Sequence, residues 1–376
     1  MNDNYILGLF QGNGSFNIKI GYKKSNKIIG KYIWLKSSIN ISLHKNNENV
    51  IKDINKYLGI GHYSIDNKNI CRYDINQIND LYHKMIPFFI KNKLKGDKYK
   101  SFLMFKIIIT KLYNNEHYKK YNDKNDKNKL SPILLNLINM AYLMNPINSN
   151  NKSRKMLLTY LNEDERNIIL SNDLIYNKNL ENELLNNPYD NNINIDYIQG
   201  LFDADGSISI YLEYNRLNNL RFRITFNITQ DKFNKNVLML IKDYFKHGNI
   251  YEINNTFKYD IKNINDISNI IDKFNPFGEP RKGFSDWITP CGNINWIKNN
   301  NTVRLYKLLY IKEIINIYNL NNTSTIKNIN DYKNILKYMY YIKNNINIYQ
   351  SNENIEKNLN KYIENYIINK PMFKSK

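Results

Sequence analysis

Two short stretches that read almost alike constrain this chain more than anything else in it. Residues 5–16, Tyr-Ile-Leu-Gly-Leu-Phe-Gln-Gly-Asn-Gly-Ser-Phe, return as residues 197–208, Tyr-Ile-Gln-Gly-Leu-Phe-Asp-Ala-Asp-Gly-Ser-Ile. Each predicts a short helix, with Asn4 and Asp196 as N-caps and with Gly14 and Gly206 just past the last turn. On such helices Tyr5, Gly8, Leu9 and Gly12 share one face, as do Tyr197, Gly200, Leu201 and Ala204. Glycine inside a helix costs about 1 kcal/mol against alanine, so small residues four apart are expected where another backbone comes close. Two such helices are expected to cross. The competing reading makes Asn13-Gly14 and Asp205-Gly206 hairpin turns, which those dipeptides favour. Matched small-residue spacing in two copies weighs against it.

The last helical residue of each copy is unusual. A carboxylate at a helix C-terminus, as Asp205 would be, opposes the macrodipole, and a bound cation would remove that conflict. The first copy has neutral Asn13 in the same place.

The stretch after each motif repeats as well. Phe16, Ile18, Ile20 and Tyr22 alternate with Asn17, Lys19 and Lys23, the pattern of a half-buried strand, and a second strand is expected over Leu35–His44. A helix over 47–58, strands near 60–65 and 70–75, a helix near 78–90 and an apolar helix from Phe102 to Leu112 complete the first copy. In the second copy Ile208, Ile210, Leu212 and Tyr214 alternate with Ser207, Ser209, Tyr211 and Glu213, and Leu220, Phe222, Ile224, Phe226 and Ile228 alternate with Arg221, Arg223, Thr225, Asn227 and Thr229. A helix near 232–245 and strands near 249–253 and 257–261 come next. Local wording survives too: Arg72-Tyr73-Asp74-Ile75 stands against Lys258-Tyr259-Asp260-Ile261. The expected fold is α+β, two pseudo-symmetric αββαββα repeats, each with an antiparallel sheet that has one apolar, helix-covered face and one polar, basic face. The expected divisions are a first repeat over 1–112, a linker with a helical elaboration (one apolar helix near 131–144) over 113–195, a second repeat over 196–320 and an Asn-rich helical tail over 321–376.

Charge narrows the partner. The 376 residues hold 54 Lys and Arg against 34 Asp and Glu, a formal net charge of +20, which suits a polyanion because each neutralised phosphate releases counterions. Cys71 and Cys291 are the only cysteines, so a disulfide framework or zinc cluster is excluded. The most apolar run, Phe102–Thr110, is interrupted by Lys106 and is far too short to span a bilayer. Abundant Asn, Ile, Lys and Tyr, all with A- and T-rich codons, point to an AT-rich genome such as an organelle's. The chain enters the first motif at once, so the expectation for an organellar protein is synthesis inside the mitochondrion.

Ile6–Gly14 and Ile198–Gly206 resemble the nine-residue signature of the LAGLIDADG homing endonucleases, in the single-chain, two-repeat form. The resemblance covers roughly residues 4–112 and 196–320. It implies that the motif helices pack at the repeat interface through Gly8, Gly12, Gly200 and Ala204, and that the two sheets form a saddle on the major groove of double-stranded DNA. Residues so placed are Lys19, Lys23, Lys36, Ser38, Asn40, Ser42 and His44 in one half, and Ser207, Ser209, Arg221, Arg223, Thr225 and Asn227 in the other; Arg and Lys can read guanine and Asn adenine. It puts the catalytic, metal-binding position at Asn13 and Asp205, with Mg²⁺ as the cofactor. Hard oxygen ligands suit Mg²⁺, which supplies an activated water and stabilises the leaving oxygen. With Asn13 in place of an acid, the paired site falls from −2 to −1, and Gln11 is a second departure of the first copy. The resemblance also implies a basic residue near each site: Lys95 and Lys98 in the first repeat, Lys282 or Lys298 in the second.

The function implied is an intron-encoded endonuclease acting as a monomer on a long, asymmetric DNA site. Asn13 leaves open a nickase, and a maturase that binds its own intron RNA and aids splicing. A structural α+β protein whose repeat serves only helix packing is the reading from outside nucleic-acid biology.

Overall fold

The computed structural model describes residues 1–23, 32–118, 130–144, 152–171, 192–214, 220–274, 303–320, 328–346 and 352–368. It divides into two compact units, Met1–Lys45 with Ile54–Asn192, and Asn46–Asp53 with Ile193–Lys376.

The first repeat begins with helix α1 (Asp3–Asn13), strands β1 (Gly14–Lys23) and β2 (Tyr32–His44), helix α2 (Glu48–Leu58), and strands β3 (His62–Ile65) and β4 (Ile70–Ile75). Helix α3 (Ile78–Asp80) runs through a π-helical turn, Leu81–Met85, into α4 (Ile86–Lys91). Helix α5 (Gly96–Tyr113) comes next, then α6 (Pro132–Met144), α7 (Lys152–Thr159) and α8 (Glu163–Leu170). The second repeat renews the plan with α9 (Ile195–Asp205), β5 (Gly206–Tyr214), β6 (Leu220–Asp231), α10 (Lys235–Phe245), β7 (Asn249–Ile253), β8 (Thr256–Ile261) and α11 (Ile264–Phe274), and ends in α12 (Val303–Leu320), α13 (Ile329–Asn344) and α14 (Glu353–Ile368). Both sheets are antiparallel and four-stranded, ordered β1-β2-β4-β3 and β5-β6-β8-β7. The expected α+β repeat is therefore present twice.

The motif helices are capped two residues earlier than expected. Asn2 and Asn194, not Asn4 and Asp196, accept the amides of Tyr5 and Tyr197, each at 2.9 Å. Asp3 and Asp196 instead sit in the first turns, where a carboxylate complements the exposed N–H groups. At the other ends Gly14 and Gly206 lie at φ −81° and −79°, extended backbone reached directly from the helix, so neither is a hairpin turn. Glycine is required there for a different reason: a Cβ would collide with the ring and carbonyl of Phe10 in one copy and of Phe202 in the other. Those rings anchor the cores beneath the sheets. Phe10 packs with Phe16 and Phe89 at 4.9 and 4.8 Å between centroids, and Phe16 continues to Phe105 at 5.0 Å. Phe202 stacks on Phe226 at 4.7 Å and reaches Phe274 at 5.6 Å.

Two stretches do more than expected. The segment after the first repeat docks on it: buried Arg154 donates to the carbonyls of Ala141 (2.9 Å) and Ile18 on β1 (3.1 Å), with its guanidinium 5.0 Å from the Tyr142 ring centroid. Buried Asn139 ties α6 to the end of α8 by donating to the carbonyls of Ile168, Ile169 and Ser171. In the second unit α12 and α13 cover β5 as α5 and α6 cover β1, so the helical cover of the second sheet extends past residue 320. Lys312 on α12 is tied to Asp272 and Ser268 of α11, both at 2.7 Å. Among the described residues no helix is long and apolar enough to cross a membrane.

Candidate functional site

Each motif helix ends where its sheet begins, so its last residue stands at the start of the first strand. In the second unit that residue is Asp205, half-buried. Its Oδ2 accepts a hydrogen bond from Nε2 of Gln230 at 2.5 Å, and the same amide nitrogen donates to the Thr229 carbonyl at 3.0 Å. Gln230 is only 5% exposed, close to the end of β6. A buried amide of this kind fixes the orientation of the carboxylate it serves, much as outer hydrogen bonds orient metal ligands.

Register places the counterpart. Gly206 pairs with Ile228 and Gly14 with Ile41, and Ile228 pairs with Tyr259 as Ile41 pairs with Tyr73. Two residues further on, Gln230 corresponds to Leu43, which is 4% exposed. The first copy thus has Asn for the carboxylate and Leu for the amide that holds it.

The lysines expected near the first site behave differently from each other. Helix α5 starts six residues before Phe102, so Lys98 and Lys100 lie in its first turns and not in a loop ahead of it. From there the Lys98 ammonium donates to the carbonyls of Phe10 (3.1 Å), Gly12 (3.3 Å) and Gly14 (2.7 Å), and it lies 5.7 Å from the Phe10 ring centroid. A cation at a helix C-terminus is the favoured sign. The Lys95 ammonium reaches the Asn192 carbonyl at 2.8 Å, while the Lys95 backbone exchanges two hydrogen bonds with the side chain of Gln11, at 3.0 and 3.1 Å. Gln11 is therefore more than a departure from the motif: buried at 1% exposure, it ties the start of α5 to α1. Asp203, its counterpart, is also buried. Lys282 and Lys298 lie outside the described residues.

The polar sheet faces carry the other expected residues. On the first, Lys19 pairs with Lys36, Asn17 with Ser38 and Ser15 with Asn40; Lys19, Lys36 and His44 are exposed, and Ser38, Asn40 and Ser42 are half-buried. On the second, Ser207 pairs with Asn227, Ser209 with Thr225 and Tyr211 with Arg223. Ser207 and Arg223 are exposed, but Thr225 and Asn227 are buried, and Thr225 shares a 2.7 Å hydrogen bond with half-buried Ser209. Lys23 and Arg221 occupy the strand positions opposite Tyr32 and Glu213. Gly8, Gly200 and Ala204 are buried and Gly12 partly so.

Three contributions escape the sequence expectations. Arg72 and Lys258 extend the basic faces onto a third strand, opposite Ser42 and Thr229, and Arg72 Nε donates to Ser42 Oγ at 3.4 Å. Exposed Trp34 lies on the same face as Lys36, its indole over Gly21, which has no Cβ to obstruct it. Gln230 has a sequence signal: it is the polar residue ending an inward-facing series, Phe222, Ile224, Phe226 and Ile228.

Among the described residues no group of three or more His, Cys, Asp and Glu side chains is placed to hold a metal ion. A cation seat here would need carboxylate and carbonyl oxygens at a helix end.

Known proteins show the same architecture. Over 294 residues, 75% of this chain and 96% of its relative, the chain is 24% identical to the probable intron-encoded DNA endonuclease 1 of Mycosarcoma maydis. Over 131 residues, 35% of this chain and 32% of the relative, it is 34% identical to the probable intron-encoded endonuclease aI3 of Kluyveromyces lactis. Among solved structures, the LAGLIDADG meganuclease I-AabMI bound to uncleaved DNA superposes with a TM-score of 0.63 at 17% identity, over 89% of this chain and 98% of that one. The homing endonuclease I-GzeII in complex with its DNA target does so with a TM-score of 0.63 at 20% identity, over 93% and 100%. The family model described as LAGLIDADG endonuclease matches residues 6–109 and 198–290, both copies of the motif and the sheet beyond each, and the chain belongs to that family.

Proposed function

We propose that this protein is an intron-encoded homing endonuclease that makes a metal-dependent cut in a long, asymmetric double-stranded DNA site. The observation that carries the reading is Asp205, a carboxylate at a helix C-terminus held by the buried amide of Gln230. Helix-end carbonyls and an oriented carboxylate form a hard-oxygen donor set, the kind that suits Mg²⁺. When bound, the cation would supply a water of lowered pKa and a counter-charge for the departing oxygen. Asp205 would hold it, Gln230 would fix the carboxylate's orientation, and the basic sheet faces would bind the phosphates of the duplex. Lys19, Lys36, Arg72, Arg223 and Lys258 position the duplex through its backbone, and Asn40, Ser42 and Ser207 can reach base edges. Lys23 and Arg221 belong to the same faces by register. The residues of the first copy do not fit a divalent cation: Asn13 has no charge and Leu43 no polar atom.

Two repeats in one chain suit a monomer on an asymmetric site. The intron-encoded relatives from Mycosarcoma maydis and Kluyveromyces lactis are fungal, and with the AT-rich composition they support a mitochondrial setting. The test is incubation of the purified protein with DNA spanning the uninterrupted allele of its host gene, with Mg²⁺ or with chelator. Discrete products with Mg²⁺ alone are expected, and no metal-dependent cut on either strand would overturn the reading.

Asn13 and Leu43 favour a second reading, a maturase whose cleavage centre has decayed while the protein still binds its own intron RNA. Specific binding of that RNA, with splicing unaffected by Asp205→Ala, would support it over the first.

A further inference from the structure

The end of the first motif is stripped of a cation site in three ways at once. Asn13 stands where the second motif has its acid, and Leu43 stands where the second unit has Gln230, the amide that holds that acid. The carbonyls of Phe10, Gly12 and Gly14, which crowd negative charge at the end of α1, all receive one ammonium, that of Lys98. We infer that Lys98 supplies the cation at the first motif end, so that the chain has one divalent-cation seat, at Asp205, and not two. The inference rests on the proposed nuclease reading and deepens it.

Sign and donors both distinguish the two ends. A helix C-terminus carries partial negative charge on its terminal carbonyls and is stabilised by a cation near them. With a carboxylate in the last turn the local charge suits a dication. With Asn13 it suits a monocation, and Lys98 reaches it from the first turn of α5, whose start is fixed on α1 by the paired hydrogen bonds of Gln11 with the Lys95 backbone. A dication brought to the same carbonyls would meet the ammonium, and Asn13 has no charge to offset the repulsion. Leu43 offers no hydrogen bond to the waters Mg²⁺ keeps. In the second unit the carboxylate of Asp205 is present and Gln230 orients it.

The test counts cations without cleavage. Mn²⁺ titrated into the full chain and followed by electron paramagnetic resonance should reveal one site per chain, absent in Asp205→Asn and retained in Asn13→Ala. Circular dichroism confirms that each variant is folded. Two sites in the wild type would overturn the inference while leaving the nuclease reading intact, as would a site that survives Asp205→Asn or is lost in Asn13→Ala. No site in the wild type would overturn the inference and remove the metal-dependent reading with it. Independently, Lys98→Met should lower the melting temperature by several degrees and Lys98→Arg should recover most of it; an unchanged melting temperature in Lys98→Met would show that the ammonium does not serve the helix end.

Discussion

The two units share a frame and differ at its working end. Strand order, sheet register, the glycine beneath each motif helix and the phenylalanine that the glycine accommodates are the same in both. Asp205 and Gln230 in one unit stand where the other has Asn13 and Leu43. Frame and chemistry therefore answer to separate constraints. Gly14 cannot change without a collision with Phe10, whatever the protein does, whereas Asn13 and Leu43 are compatible with a well-packed helix and strand. A duplicated unit can change the residues at its motif end and keep its core.

The most severe break of this comparison is Asp205→Asn, which makes the second end like the first. Cleavage should fall on the order of 1000-fold in a strand-resolved assay, as expected when charge stabilisation is removed from a reacting centre. Gln230→Leu copies Leu43 into the second unit and leaves the acid in place. Its expected loss is about 10–100-fold, with weaker apparent affinity for Mg²⁺, because an orienting partner is removed and not the ligand. A rate equal to wild type would deny Gln230 its role.

The shared frame is tested by stability. Gly14→Ala and Gly206→Ala should each cost about 1–3 kcal/mol in urea denaturation, since both added methyl groups must displace a core phenylalanine. A large cost in one unit alone would mean that the two motif ends are not equivalent. The smallest effect belongs to the sheet faces. Lys36→Ala should weaken DNA binding and lower the slope of log affinity against log salt by about 1, and Arg223→Ala should do the same from the other face.

Much of the frame was legible in the sequence because a half-buried strand writes its alternation directly: Phe16, Ile18 and Ile20, and Phe222, Ile224, Phe226 and Ile228, fall inward as the period-2 pattern requires. Three things were not. Helix α5 begins at Gly96 through the polar run Asp97-Lys98-Tyr99-Lys100, which has no helical apolar stripe, and its start is fixed by a tertiary contact with Gln11. The docking of residues 130–171 depends on Arg154 finding the Ile18 carbonyl, a long-range contact without local signature. The caps at Asn2 and Asn194 lose in sequence to equally good formers two residues on, and only the hydrogen bonds decide between them. At the candidate site the motif pointed to Asp205, but its partner Gln230 lies 25 residues away: the sequence marks it only as the polar end of an inward-facing series, and the hydrogen bond shows which carboxylate it serves.

If the two motif ends are chemically unequal, the wild-type protein should cut the two DNA strands at different rates, and a strand-resolved time course reads that inequality without any substitution. One strand should be cut at least about 10-fold faster, the difference expected from a missing metal ligand with its orienting partner. Asn13→Asp together with Leu43→Gln should then raise the slow strand and leave the fast one unchanged. Equal rates on the two strands in the wild type, both lost in Asp205→Asn, would contradict the inequality.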